Sequence, residues 1–170
     1  MSSTPRPRLQ PLDPAEAGSI RPLAEFIWRE TYSDIISESQ IRYMLDLMYD
    51  PARIHREIED GVRWRLLIAE GSVRGYLSWG PCPESTKEAV LHKIYLLAEF
   101  HGRMLGHFML DHVRDEAFNA GFRTLSLTVN RNNLHAIRFY EQCGLRRRHA
   151  KVTDIGNGFV MDDWVYACSL

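Results

Sequence analysis

Ile20, Leu23, Ala24, Ile27 and Trp28 recur three or four positions apart, the spacing of one face of an amphipathic helix. Asp13-Pro14 stands just ahead of them, a capping residue followed by a first-turn proline. The pattern repeats in Ile41, Met44, Leu45 and Met48, which predicts a second helix from about Ser39. Asp50-Pro51 opens a third, short one through Ile54 and Ile58, ending at Gly61. From Arg63 the period changes. Trp64–Glu70 and Val73–Trp79 read as strands of a hairpin around Glu70-Gly71-Ser72, and Pro81–Thr86 as a loop. Ala89–Leu97 is a nearly continuous apolar run, which predicts a central strand covered on both faces.

A long helix is predicted over His101–Ala120, with Leu105, Phe108, Met109 and Val113 facing inward and Gly121 as its stop. Thr124–Val129 follows as a strand, Asn133–Cys143 as a helix closed by Gly144, and Leu145–Val152 and Phe159–Ser169 as two final strands. Leu9–Leu12 predicts a short edge strand, and residues 1–8 a flexible tail because of Pro5 and Pro7. The unit Ala89–Val129 is then a parallel strand–helix–strand crossover among antiparallel hairpins. The predicted fold class is α/β, an α+β sandwich, with a mixed, mostly antiparallel sheet of about six or seven strands flanked by helices. Residues 9–170 are expected to form one domain, as a length of 170 residues suggests.

Composition narrows the partners. With 21 Lys+Arg against 22 Asp+Glu, the net charge is −1, which disfavours nucleic acid as a ligand. No apolar run reaches the ~20 residues of a membrane span, and the N-terminus lacks the apolar core of a secretory signal. Cys82, Cys143 and Cys168 are odd in number and far apart, which suits a reducing, cytoplasmic setting.

Candidate chemistry sits at two strand-to-helix junctions. In Leu91–His107, an apolar strand runs into a turn containing Gly102, with Gly106 in the opening turn of the helix. Exposed backbone N–H groups and the positive end of a helix favour a phosphate or diphosphate there. A tight structural turn is the alternative for that segment. In Leu127–Leu145, a strand ends in polar residues and Asn132 or Asn133 caps a helix carrying Tyr140. Tyr140 could be a core residue, or a proton donor, since an ordinary phenol remains protonated at neutral pH.

Together these segments resemble the GNAT superfamily of N-acetyltransferases. The first signature, Gln/Arg-x-x-Gly-x-Gly/Ala, maps to His101-Gly102-Arg103-Met104-Leu105-Gly106. His101 stands where Gln or Arg is usual, and Met104 where the first glycine is usual. The second maps to Asn133, Ala136, Phe139-Tyr140 and Gly144-Leu145. The segment IGNGFVMDDWV also looks like small-amine or polyamine-type members. The resemblance implies a splayed parallel strand pair, with acetyl-CoA between the strands ending at Leu96 and Val129. Ile94, Tyr95 and Leu96 would pair with the pantetheine arm, and the N–H groups of Gly102, Arg103, Met104, Leu105, Gly106 and His107 would hold the diphosphate. His101, Asn133 and Tyr140 complete that expected cofactor set.

The implied reaction is direct attack of a primary amine on the thioester. Tyr140 holds the family's position for the acid that protonates the departing thiolate. Val90, His92, Ile94 and Leu96 are expected on one face of the central strand, and His92, the titratable one, is the candidate base, the alternative being a histidine satisfied at the strand's solvent end. A small amine or polyamine is the favoured acceptor; a protein N-terminus or lysine, or a non-catalytic acyl-CoA-binding role, is the alternative. The resemblance is compatible with a homodimer. A metal site is not expected: His101, His107 and His112 lack the i, i+4 spacing of helical ligands. Cys143 reads as a structural thiol. Asp162, Asp163, Glu30 and Asp34 could draw in a cationic amine, and the Met44, Leu47, Met48 stripe reads as core.

Overall fold

A computed structural model describes residues 6–170. The first five positions of the expected tail lie outside the described residues, and Arg8 already pairs with Ile68 at the start of β1 (Arg8–Pro11). After a 3-10 turn capped by Asp13 come α1 (Ile20–Tyr32), α2 (Glu38–Met48) and α3 (Pro51–Glu59). The hairpin strands are β2 (Arg63–Ala69) and β3 (Ser72–Cys82), followed by β4 (Ser85–Leu96). Then come α4 (Leu105–Asn119), β5 (Thr124–Asn130), α5 (Leu134–Gln142), β6 (Arg146–Gly156) and β7 (Phe159–Ser169). The seven strands form one sheet in the order β1-β2-β3-β4-β5-β7-β6, and β4–β5 is its parallel pair.

Two clusters of buried side chains cover the two faces. On one face, α4 and α5 bury Leu105, Met109, Val113 and Tyr140 against Leu77, Leu91, Leu125 and Leu127. On the other, α1, α2 and α3 bury Trp28, Leu45, Tyr49 and Ile54 against Trp64, Leu66 and Tyr76. Glu116 fastens α4 to the sheet: it accepts from Arg65 at 2.6 Å and from the Trp79 indole at 2.8 Å.

Two boundaries and one buried helix face differ from the pattern-based expectation. Ser85–Glu88, expected partly as loop, lengthen β4, because Cys82↔Ser85 close a tight hairpin. The long helix starts at Leu105, not His101: Gly102 and Met104 have φ of +74° and +61°, which no right-handed helix accommodates. Phe108 is partly exposed, while Leu110 and Ala117 lie in the core.

The fourth difference shapes the site. The β3–β4 register passes from Trp79↔Leu91 to Ser78↔Lys93, leaving His92 as an extra residue in a β-bulge. The bulge inverts the alternation. Ile94 and Leu96 therefore pack on the same cluster as Ala89 and Leu91, not on the face of Val90 and His92, while Tyr95 joins the α1–α3 side.

Gly75 sits where β3 meets the end of β4, opposite Leu96. A Cβ there would come within 2.4 Å of the Tyr95 carbonyl oxygen, a backbone atom that cannot yield. Gly75→Ala should lower stability by roughly 1–3 kcal/mol, read as a lower urea midpoint at unchanged m-value.

Candidate active site

The pairing of β4 with β5 runs from Glu88↔Thr124 to Leu91↔Leu127 and stops there. Both strands continue, to Leu96 and to Asn130. Beyond the bulge the edge of β4 facing β5 thus has no strand partner. A cavity of about 740 Å³ opens at this fork. It is lined on the α4–α5 side by Leu96, Gly102, Gly106 and Tyr140, and on the α1–α3 side by Trp28, Tyr32, Lys93 and Asp163.

The turn after β4 gathers N–H groups without backbone acceptors, an arrangement whose chemistry suits an anion. Phe100 and His101 donate back to Leu97 and Ala98, and Phe108 donates to Met104. The N–H groups of Gly102 through His107, lying between these, have no backbone acceptor among the described residues. They form a row at the positive end of the 15-residue α4. Gly102 has open space around its α-carbon, and Gly106 packs so closely on Phe139 that a Cβ would lie 3.2 Å from the ring. Met104 adopts the left-handed conformation itself. It is 65% exposed and lines the cavity at this turn.

The other expected cofactor residues divide. His101 bonds through Nε2 to the Leu96 carbonyl at 3.0 Å and stacks on His135. Arg103 lies over Phe100 and donates to Glu70 at 2.9 Å, both partners being exposed. Asn133 caps α5 by accepting from the Ala136 N–H. Tyr140 is buried on the cavity wall, and burial pushes its phenol well above the ordinary value, so it is a neutral donor at every physiological pH.

On the α1–α3 side the wall is aromatic. The Trp28 indole donates to the Tyr49 hydroxyl at 3.1 Å, and that hydroxyl lies 2.7 Å from Tyr76. Tyr32 and Tyr95 join their hydroxyls at 3.0 Å. Two buried ionisable groups sit in this wall. Lys93 is 9% exposed, its ammonium 4.9 Å from the Trp64 ring centre. Burial pushes its pKa down to about 8, Glu57 opposing and Arg53 adding to that effect. Asp163 is 4% exposed, and burial, then Asp162, raise it to about 6.

His92 lies at the cavity as expected but keeps much of its surface in solvent. Loss of water around the ring, then the Lys93 charge, lower it to about 4. It is therefore neutral at pH 7. Of the four acidic candidates, Asp163 lines the cavity; Asp162 pairs outside with Arg131, and Glu30 and Asp34 are exposed. Met44 and Met48 line it too, so part of the methionine stripe is wall as well as core. Lys93 was missed by motif and periodicity. Its signal was a lone charge inside an apolar run, rare without a role. Among the described residues no group of three or more His, Cys, Asp or Glu could hold a metal, and no helix is long and apolar enough to cross a membrane.

A buried ammonium without a carboxylate partner burdens the fold. The fall from 10.5 to about 8 corresponds to a penalty on the order of 3 kcal/mol on the charged form. The unfolded chain binds more protons than the folded one between these values, so native stability rises over that range. Lys93→Met should therefore raise the melting temperature at pH 7, and the gap should narrow as pH climbs from 8 towards 10.5.

Residues 23–145 match the model of the acetyltransferase (GNAT) family. The chain is 27% identical over 105 residues to an uncharacterized N-acetyltransferase of Archaeoglobus fulgidus, covering 54% of this chain and 71% of that one. The crystal structure of the PaiA N-acetyltransferase from Thermoplasma acidophilum in complex with coenzyme A superposes with a TM-score of 0.78 at 18% identity, over 97% of this chain and 99% of the other. The structure of yncA from Salmonella typhimurium with acetyl-CoA gives 0.68 at 17% identity, over 98% and 95%.

Proposed function

The chain belongs to the GNAT acetyltransferase family, and from that premise we propose that it transfers an acetyl group from acetyl-CoA to a small primary amine by direct attack. The observation that carries this is the fork between β4 and β5, which joins a row of free amides on one side to an aromatic cavity on the other. Residues 9–170 act as one catalytic unit in this proposal. The three free cysteines suit a reducing cytoplasm.

Acetyl-CoA supplies a thioester whose carbonyl carbon is the electrophile. The amides of Gly102 to His107 would hold its diphosphate, with the dipole of α4 behind them. The unpaired edge of Ile94, Tyr95 and Leu96 would bond its amide-bearing arm as an added strand. His101, stacked on His135 beside this turn, and Asn133 at the start of α5 keep the two junctions in place. Arg103 adds positive charge at the mouth.

The acceptor must lose a proton before its lone pair is available. For an amine with a pKa near 10.4, this costs about 4–5 kcal/mol at pH 7. The dry aromatic wall disfavours the ammonium and lowers that barrier. As the C–N bond forms and the C–S bond breaks, Tyr140 donates its proton to the leaving sulfur. The proton shed by the amine passes to a base in the cavity. His92 is neutral and can relay it through water. With a pKa near 4, however, it is a weak resting place, and the Asp163 carboxylate is better matched to neutral pH. A polyamine finds Asp163 and Glu57 in its favour, and Lys93 and Arg53 against it.

Acetyl-CoA should raise the melting temperature, and thiol release from it should depend on an added primary amine. Saturating acetyl-CoA that leaves the melting temperature unmoved defeats this assignment. Tyr140→Phe should lower kcat by about 10²-fold or more while the dissociation constant for CoA, measured by titration calorimetry, stays within about twofold. An unchanged kcat removes Tyr140 from the proton path.

A further inference from the structure

One cavity is walled by two buried ionisable groups of opposite sign that do not meet each other. Lys93 on β4 and Asp163 on β7 are each more than nine-tenths buried and line the same space. Among the described residues, neither side chain finds an ion-pair or hydrogen-bond partner. The nearest counter-charge to Lys93 is Glu57, whose two oxygens accept from Arg53 and from the Trp64 indole, each at 3.1 Å. Asp163 faces Lys151 across the strand pair, but Lys151 is exposed. Arg131 is held by Asp162.

The two groups also mark different ends of the cavity. Asp163 pairs in register with Asn130, where β5 ends beside the fork, and its charge acts on the Tyr32 hydroxyl. Lys93 lies on the far bank of the fork, and its ammonium leans back over Trp64 and Tyr49, towards the Glu57–Arg53 pair. A buried charge is tolerated when a partner completes it. The missing partners are thus a cation near the fork and an anion near Lys93.

We infer that the acceptor carries two charged ends: a primary amine placed at the fork beside Asp163, and an anionic group seated against Lys93. This deepens the acetyl-transfer proposal and rests on it for the identity of the reacting amine. The span excludes an α-amino acid, in which the two groups are neighbours. Two strand spacings and the opened gap lie between β4 and β7, roughly 10 Å or more at the backbone. The acceptor is an ω-amino carboxylate or a molecule of the same charge layout, with an apolar body against Trp28, Tyr32 and Met44. A diamine of the same length would put its second ammonium against Lys93.

The test uses matched probes: aminohexanoate, hexylamine and diaminohexane, with shorter and longer homologues of each. They are assayed by thiol release from acetyl-CoA and by calorimetric titration into the CoA-saturated protein. Aminohexanoate or a homologue should bind more tightly and show a kcat/KM at least about tenfold above the diamine of equal length. Lys93→Met should cut that advantage about tenfold; its own melting curve establishes that it folds. Preference for the diamine or the alkylamine, or an ordering that Lys93→Met leaves intact, overturns the inference. So does failure of every aminoalkanoate to bind in the titration. If another amine still releases thiol in that case, acetyl transfer stands and the charge layout alone falls. If no amine releases thiol yet aminoalkanoates bind through Lys93, the layout stands and the transfer proposal falls.

Discussion

A strand whose neighbour turns away must find another partner for its backbone. This is the constraint on which the molecule turns. From Lys93 to Leu96, β4 is hydrogen-bonded to β3 on one edge only, because β5 has parted from it after Leu127. Unpaired amides and carbonyls in a protein interior are costly, and a sheet tolerates them only where water or a ligand completes the ladder. Everything else about the site follows from the fork. It connects the two faces of the sheet, it sets the row of free amides at the start of α4 on one side, and it leaves the aromatic wall on the other.

That wall is unusual in how it treats charge. Tyr49 and Tyr76 are buried, Tyr32 and Tyr95 half-buried, and all four are held in the neutral form by loss of water. Their hydroxyls satisfy one another, so the wall is apolar in surface and fully bonded within. Lys93 and Asp163 are set into such a medium, where the field of a single charge reaches further than in water. Under the proposed function, selectivity for an acceptor depends less on shape than on the sign of what it brings to each end.

Much of this was legible in the sequence, and for a physical reason. Helix starts at Asp13 and Asp50 are written in capping chemistry, and the strands in runs of apolar residues. The two strand-to-helix junctions were legible because the turns demand residues with few alternatives: Gly102 for its positive φ, Gly106 for its contact with Phe139, Asn133 for its cap. The helix start at His101 was misjudged because Met104 takes up a conformation usually reserved for glycine, and composition does not announce that. The acceptor side was less legible. Lys93 and Asp163 come from strands far apart in the chain, and only the order β4-β5-β7 brings them to one cavity. No local pattern encodes that proximity.

The extra residue in β4 carries a last implication. His92 acts as a frameshift in the alternation of the central strand: before it odd positions face α4 and α5, and after it even positions do. Exchanging His92 for another side chain leaves this phase alone, and so would losing the residue altogether: Leu91 and Ile94 would still face α4 and α5, and Lys93 and Tyr95 the aromatic wall. Flattening the bulge with every residue retained would instead turn Lys93 and Tyr95 into the α4–α5 cluster and deliver Ile94 to the aromatic wall. The bulge, not the identity of the residue in it, keeps the two halves of β4 in step with β3.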